Sequence, residues 1–159
     1  MELKVPETLR LEHLKLREQL YVLTKENNDL GVAARTLMEL CYKHHTKEEE
    51  RVFPALEVFP KLAEGKITDS MRSLKDIADE MKAGLYEELL EDHKAIVASL
   101  QNISQLALAL GRMEYVEYAD RFIRHARMEE EMLYPAVLVT ADYFQLLIQC
   151  RTSSDGYFS

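Results

Sequence analysis

At 159 residues, 47% hydrophobic and 30% charged, the chain is long enough for one domain with a sizeable core and too apolar to be disordered. Its net charge of -8 lacks the clustered Lys and Arg that a nucleic acid or an anionic membrane surface requires, so neither is an expected partner. No uninterrupted apolar run approaches a membrane span, the N-terminus lacks a secretory signal, and two cysteines suggest neither a disulfide framework nor a zinc knuckle; a reducing cytoplasm is the expected compartment.

Five Gly and four Pro across the whole length favour long helices over short strands. The first helix is expected from about Pro6 to Asn28, with an apolar stripe of Leu9, Leu16, Leu20 and Leu23 that also carries His13. A second runs from about Val32 to Phe59 and aligns Ala33, Leu37, Leu40 or Cys41, His44, Glu48 and Val52, with Pro54 kinking it or ending its regular part. "KLAEGKITDS" reads as a connection. A third helix spans about Ser70 to Leu110, bends or breaks near Gly84, and turns Leu89, His93, Ile96, Leu100, Ile103 and Ala107 inward. Gly111 marks a reversal, and a fourth helix follows from about Met113 to Gln149. Residues 1-150 therefore predict one all-α domain, an up-down-up-down four-helix bundle, and 151-159 a loosely ordered tail.

The chain repeats itself. "KHHTKEEERVFPAL" (43-56) aligns without gaps to "RHARMEEEMLYPAV" (124-137), and "LEHLKLREQL" (11-20) to "EDHKAIVASL" (91-100). His13 thus matches His93, His44 matches His125, and Glu48 matches Glu129. The bundle is two pseudo-repeated hairpins, each with His on its first helix and His-x-x-x-Glu on its second. His13 lies about 24 Å from the end of its helix and His44 about 18 Å into the returning one, at ~1.5 Å per residue, so the imidazoles share a depth. The Glu four residues on falls one turn away on the same face. Four His and two Glu then converge inside the bundle, where unpaired carboxylates are strongly disfavoured and two cations relieve the penalty. An imidazole and carboxylate donor set suits Fe, Mn or Zn, and six side chains for two ions leave coordination positions open.

Other polar residues read as background. His45 has Ala126 as its counterpart and is taken as a neighbour, although a shifted register of His45 with Glu49 is an alternative that the repeat disfavours. Glu49 and Glu130, and Glu12 and Asp92, adjoin the ligands and either orient the imidazoles or face solvent; solvent is favoured, because consecutive helical positions point about 100° apart. Cys41, matched by Phe122, reads as packing, and Tyr42 and Met128 as core or surface rather than redox relays.

These segments resemble the hemerythrin-like family of HHE cation-binding domains, whose "H-x-x-x-E-E-x-x-[LM]-[FY]-P"-like pattern "HHTKEEERVFP" and "HARMEEEMLYP" follow closely. The resemblance spans about Leu9 to Val137 and implies a non-haem di-iron centre with bridging carboxylates and an oxo or hydroxo bridge. It carries the ligand role to His13, His44, Glu48, His93, His125 and Glu129. Oxygen carriers of the family have a further His one turn after the third-helix ligand, where this chain has Val97, and an Asp on the last helix where it has Glu. The set looks closer to iron-cluster repair and stress-response members, without the N-terminal Cys-containing domain that repair proteins often carry. The expected function is a di-iron protein binding O2, NO or peroxide for sensing, storage or stress defence, with a redox protein as a candidate partner. The alternative is a di-iron enzyme (an oxidase, or a peroxide or NO reductase) or an iron-sulfur cluster repair or iron-donor protein.

Overall fold

The computed structural model describes residues 2-155, which contain helices and no strand. The helices are α1 (Glu7–Leu23), α2 (Asp29–Arg51), α3 (Phe59–Ala63), α4 (Ser73–Glu80), α5 (Tyr86–Ala109), α6 (Met113–Met128) and α7 (Tyr134–Asp155). Four long runs make the expected up-down-up-down bundle: α1, α2, α5, and the α6–α7 pair. α4 packs on α7 beyond the end of α5.

The links follow from local chemistry. Asn28 caps α2, its side chain accepting from the Gly31 amide at 3.2 Å. Gly111, at φ 69°, takes the left-handed conformation that closes α5, and the Arg112 amide reaches back to the Ala107 carbonyl at 2.9 Å. The Arg112 guanidinium then joins the two short links at one end of the bundle through Glu26, at 2.9 Å.

The two matched prolines act differently. At Pro54 the helix ends: α2 stops at Arg51, Val52 leaves helical geometry, and Phe53–Val58 continue as a 3-10 segment. At Pro135 it continues, because a π-turn over Glu129–Leu133 widens the coil and the Tyr134 amide bonds to the Glu129 carbonyl. The break foreseen near Gly84 is a second wide turn, Met81–Leu85, with Gly84 at φ 135°. α7 extends to Asp155, into the segment read from sequence as a tail; residues 156-159 of that segment lie outside the described residues. By length and composition alone, Met113–Thr152 could cross a membrane. Here this run buries Tyr134, Val137, Ala141 and Phe144 in the bundle.

Two apolar clusters fill the interior. Leu16, Leu20, Leu23, Leu30, Leu37, Cys41, Ile96, Leu100, Ile103 and Phe122 belong to the one nearer the short links. Phe53, Leu56, Met71, Leu74, Met81, Leu89, Tyr134 and Phe144 belong to the other. Between them lies a polar layer: His13, His44, His45, Glu48, His93, His125 and Glu129, every one buried.

The turn into α2 sets the axial position of His44 and Glu48. A Cβ at Gly31 would fall 1.9 Å from the Glu26 carbonyl oxygen, a collision with backbone that no rotamer relieves. Gly31→Ala is expected to destabilise the protein by about 2 kcal/mol, lowering Tm by roughly 5 °C in thermal unfolding.

Candidate metal centre

The bundle brings all six sequence-derived ligands together. His13 comes from α1, His44 and Glu48 from α2, His93 from α5, His125 from α6, and Glu129 from the π-turn that follows it. Their Nε2 atoms face two carboxylates. Glu129 Oε1 lies 2.8 Å from His125 Nε2 and 3.1 Å from His13 Nε2, while its Oε2 lies 3.2 Å from His93 Nε2. Glu48 Oε1 lies 3.2 Å from His44 Nε2 and 4.0 Å from His93 Nε2, while its Oε2 lies 3.4 Å from His13 Nε2. The imidazoles thus form two pairs, His13 with His125 and His44 with His93, their ring centroids 5.3 Å and 4.5 Å apart. Each carboxylate reaches both pairs.

His13 Nε2 and Glu129 make a hydrogen bond, but several of the other short separations are not good ones. His44 Nε2, His125 Nε2 and Glu48 Oε2 are buried yet make no aligned hydrogen bond, despite neighbours at 2.8–3.4 Å. Buried polar atoms rarely go unpaired. Lone pairs that converge on points between the residues, rather than on one another, are what cation ligands present. His44, Glu48, His93 and Glu129 offer one such group, with ligand atoms all within 4.8 Å of one another. The donors present, four imidazole nitrogens and two carboxylates that each approach both imidazole pairs, fit first-row transition ions.

The outward Nδ1 atoms have carboxylates of their own, and here the structure corrects the sequence reading. His13 Nδ1 donates to Glu49 and His93 Nδ1 to Glu130, both at 2.8 Å. His44 Nδ1 bonds to Asp92 at 3.2 Å, and His125 Nδ1 lies 3.1 Å from Glu12, an ion-pair contact without an aligned hydrogen bond. These four were expected to face solvent because each points away from the ligand beside it. Glu12 is exposed as expected and the other three are half-buried, yet each also reaches the imidazole of the adjacent helix: α1 serves α6, α2 serves α1, α5 serves α2, and the π-turn serves α5. The pairs Glu12/Asp92 and Glu49/Glu130 are repeat-equivalent, so the network obeys the same pseudo-symmetry as the ligands. Carboxylates at Nδ1 fix the tautomer and leave Nε2 free to bind a metal. Lys47 holds Asp92 in turn, at 2.8 Å.

Two substituents break the symmetry. Tyr134, matched by Phe53, is buried with its hydroxyl donating to Glu48 and 3.3 Å from His93 Nε2. The sequence reading assigned it no role; the only signal was Tyr-Pro in one copy against Phe-Pro in the other. His45 is the second. It lies close to His13 and His125, but its ring stacks on His13 with centroids 3.9 Å apart and planes 3° apart. An imidazole binds a metal in its ring plane, and two parallel planes share no point, so His13 and His45 do not serve one ion. Cys41 packs in the apolar cluster, where burial raises its thiol pKa and keeps it unreactive. Tyr42 is exposed and Met128 half-buried.

A buried cluster of four imidazoles and two carboxylates inside a four-helix bundle is the donor set of a metal-binding helical protein. Residues 5–87 match the model of the Hemerythrin HHE cation binding domain, and the chain belongs to that family. The matched segment holds His13, His44 and Glu48, while His93, His125 and Glu129 lie beyond it and are placed by the bundle geometry. No curated protein and no solved structure matches the chain.

In the metal-free protein, protons take the cations' place. Burial opposes charge at His125, but Glu129 and Glu12 outweigh it and raise the pKa from 6.5 to about 9. His13 and His44 are raised on the same balance of burial against nearby carboxylates. Glu129 is held well below the usual carboxylate range: burial acts the other way, but the close imidazoles of His125, His13 and His93 outweigh it. A raised His pKa stabilises the fold fully below its unfolded value, and the gain disappears as pH rises through the folded value. For His125 that loss amounts to ~3 kcal/mol. The Tm of metal-free protein is therefore expected to fall between pH 6.5 and about 9, while metal-loaded protein holds its Tm across the same range. The lowered pKa of Glu129 adds a separate loss on the acid side, as pH drops below the ordinary 4.5. Replacing an outer carboxylate tests the network directly: Glu49→Ala should weaken metal binding about 10- to 100-fold in a chelator competition.

Proposed function

We propose that the protein holds two iron ions, joined by an oxo or hydroxo bridge, and binds O2, NO or peroxide for sensing, storage or stress defence. The observation that supports this reading best is that Glu48 and Glu129 each approach imidazoles of both pairs, as carboxylates bridging two ions must. Iron bound there would supply reversible redox chemistry and exchangeable coordination positions; Mn or Zn would fit the same donors. The side chains do the rest. Glu49, Asp92, Glu130 and Glu12 fix the imidazoles, and the apolar clusters on either side exclude bulk water. In this reading the compartment is the reducing cytoplasm, and a redox protein supplies electrons across the acidic surface.

A second reading is a di-iron enzyme, an oxidase or a peroxide or NO reductase, or a protein that donates iron or repairs iron-sulfur clusters. Tyr134 favours turnover, because its hydroxyl places a proton donor within the centre. Burial and the nearby Glu48 and Glu129 charges raise its pKa, so it stays protonated.

Metal analysis and absorption spectra test both readings. Protein from iron-replete cells should carry about two iron atoms per chain and absorb in the near ultraviolet as an oxo-bridged pair. His93→Ala should lose at least half of the metal and most of that absorption; unchanged loading would contradict the assignment, and a colourless zinc protein would contradict the choice of iron. Reversible spectral change with O2 or NO supports binding. Sustained peroxide or NO consumption that falls at least tenfold in Tyr134→Phe supports the enzyme.

A further inference from the structure

We propose that His45 is a hydrogen-bond donor to a small ligand held at the ion of the His13–His125 pair, and is not itself a metal ligand. The inference rests on the dinuclear reading and adds a ligand-binding residue to it.

His45 is fully buried, and its Nδ1 lies 3.2 Å from the Arg17 guanidinium. A guanidinium has only N–H groups to offer, so Nδ1 must present its lone pair and the ring proton must sit on Nε2. That Nε2–H is buried and has no hydrogen-bond partner among the described residues. A nitrogen of the ring lies within 4.8 Å of nitrogens of both His13 and His125. The parallel stack on His13 and the proton on Nε2 both rule out coordination to that ion. What remains is an orphaned donor beside a coordination sphere with vacant positions. A donor so placed stabilises a bound ligand that carries negative charge or a lone pair on its outer atom, such as a small anion or a reduced diatomic. Second-sphere donors of this kind govern small-ligand binding at other iron sites.

The donor serves one ion alone. In the second hairpin the equivalent position is Ala126, so the His44–His93 pair has no such neighbour. Arg17 completes the device from the outside: it fixes the tautomer of His45 and lies 3.7 Å from Glu49, the carboxylate that orients His13. The two pseudo-equivalent ions therefore differ in ligand affinity.

Azide, a small anion with a charge-transfer band on ferric iron, is the probe. Metal content and azide affinity are measured for the iron-loaded wild type, His45→Phe and His45→Gln. The expected result is unchanged iron in all three, azide binding weakened about 10- to 100-fold in His45→Phe, and recovery of most of that loss in His45→Gln, which restores an N–H. Should His45→Phe fail to fold, His45→Leu is expected to show the same loss. Equal azide affinity in wild type and the apolar variants overturns the proposal, as does a loss of about one iron per chain, which would make His45 a ligand. A wild-type protein that holds iron but takes up no azide also overturns it. A wild-type protein that binds no metal sinks instead the dinuclear reading beneath it.

Discussion

Two carboxylates and four imidazoles share one buried layer between two apolar clusters, and the rest of the structure is arranged around the penalty for putting them there. Among the described residues neither Glu48 nor Glu129 has a Lys or Arg partner; the charges they face are those that protons or cations place among the histidines. Protons satisfy the layer only partly, because Nε2 atoms turned toward a common point make poor donors to one another's carboxylates. Cations held at the same atoms would satisfy it fully. The layer is thus a weak point of the fold without metal and a brace for all four helical runs with it.

The outer carboxylates turn this constraint into precision. A ligand imidazole can rotate about two bonds, and packing alone leaves room for either nitrogen to face inward. Glu12, Glu49, Asp92 and Glu130 remove that choice from the neighbouring helix rather than from the ligand's own. Each helix–helix contact at this level therefore carries one orienting contact, so a shift between helices would misdirect an imidazole. His45 and Tyr134 lie outside this symmetric frame, and they give the two otherwise equivalent halves different proton donors.

Much of this was readable before any coordinates. Gapless repetition of His and His-x-x-x-Glu at a common depth identified six residues that the bundle does bring together, because helical rise and hairpin pairing together fix where they meet. The bend at Gly84 and the end of the regular helix at Pro54 followed from backbone rules. The outer carboxylates were misjudged because helical periodicity says which way a residue points on its own helix, not whose side chain waits there. The matched prolines diverged because a π-turn absorbs at Pro135 what ends the helix at Pro54, a difference that local sequence rules do not specify. The stacking of His45 on His13 depends on relative rotation of α1 and α2, which periodicity does not specify.

X-ray absorption at the metal edge, with anomalous diffraction from crystals of metal-loaded protein, tests the central claim most directly. The account predicts two ions about 3.5–4 Å apart or slightly closer, each bound by Nε2 of one imidazole pair and bridged by Glu48 and Glu129. A single ion, or metal bound away from this layer with the carboxylates left unbridged, would contradict it.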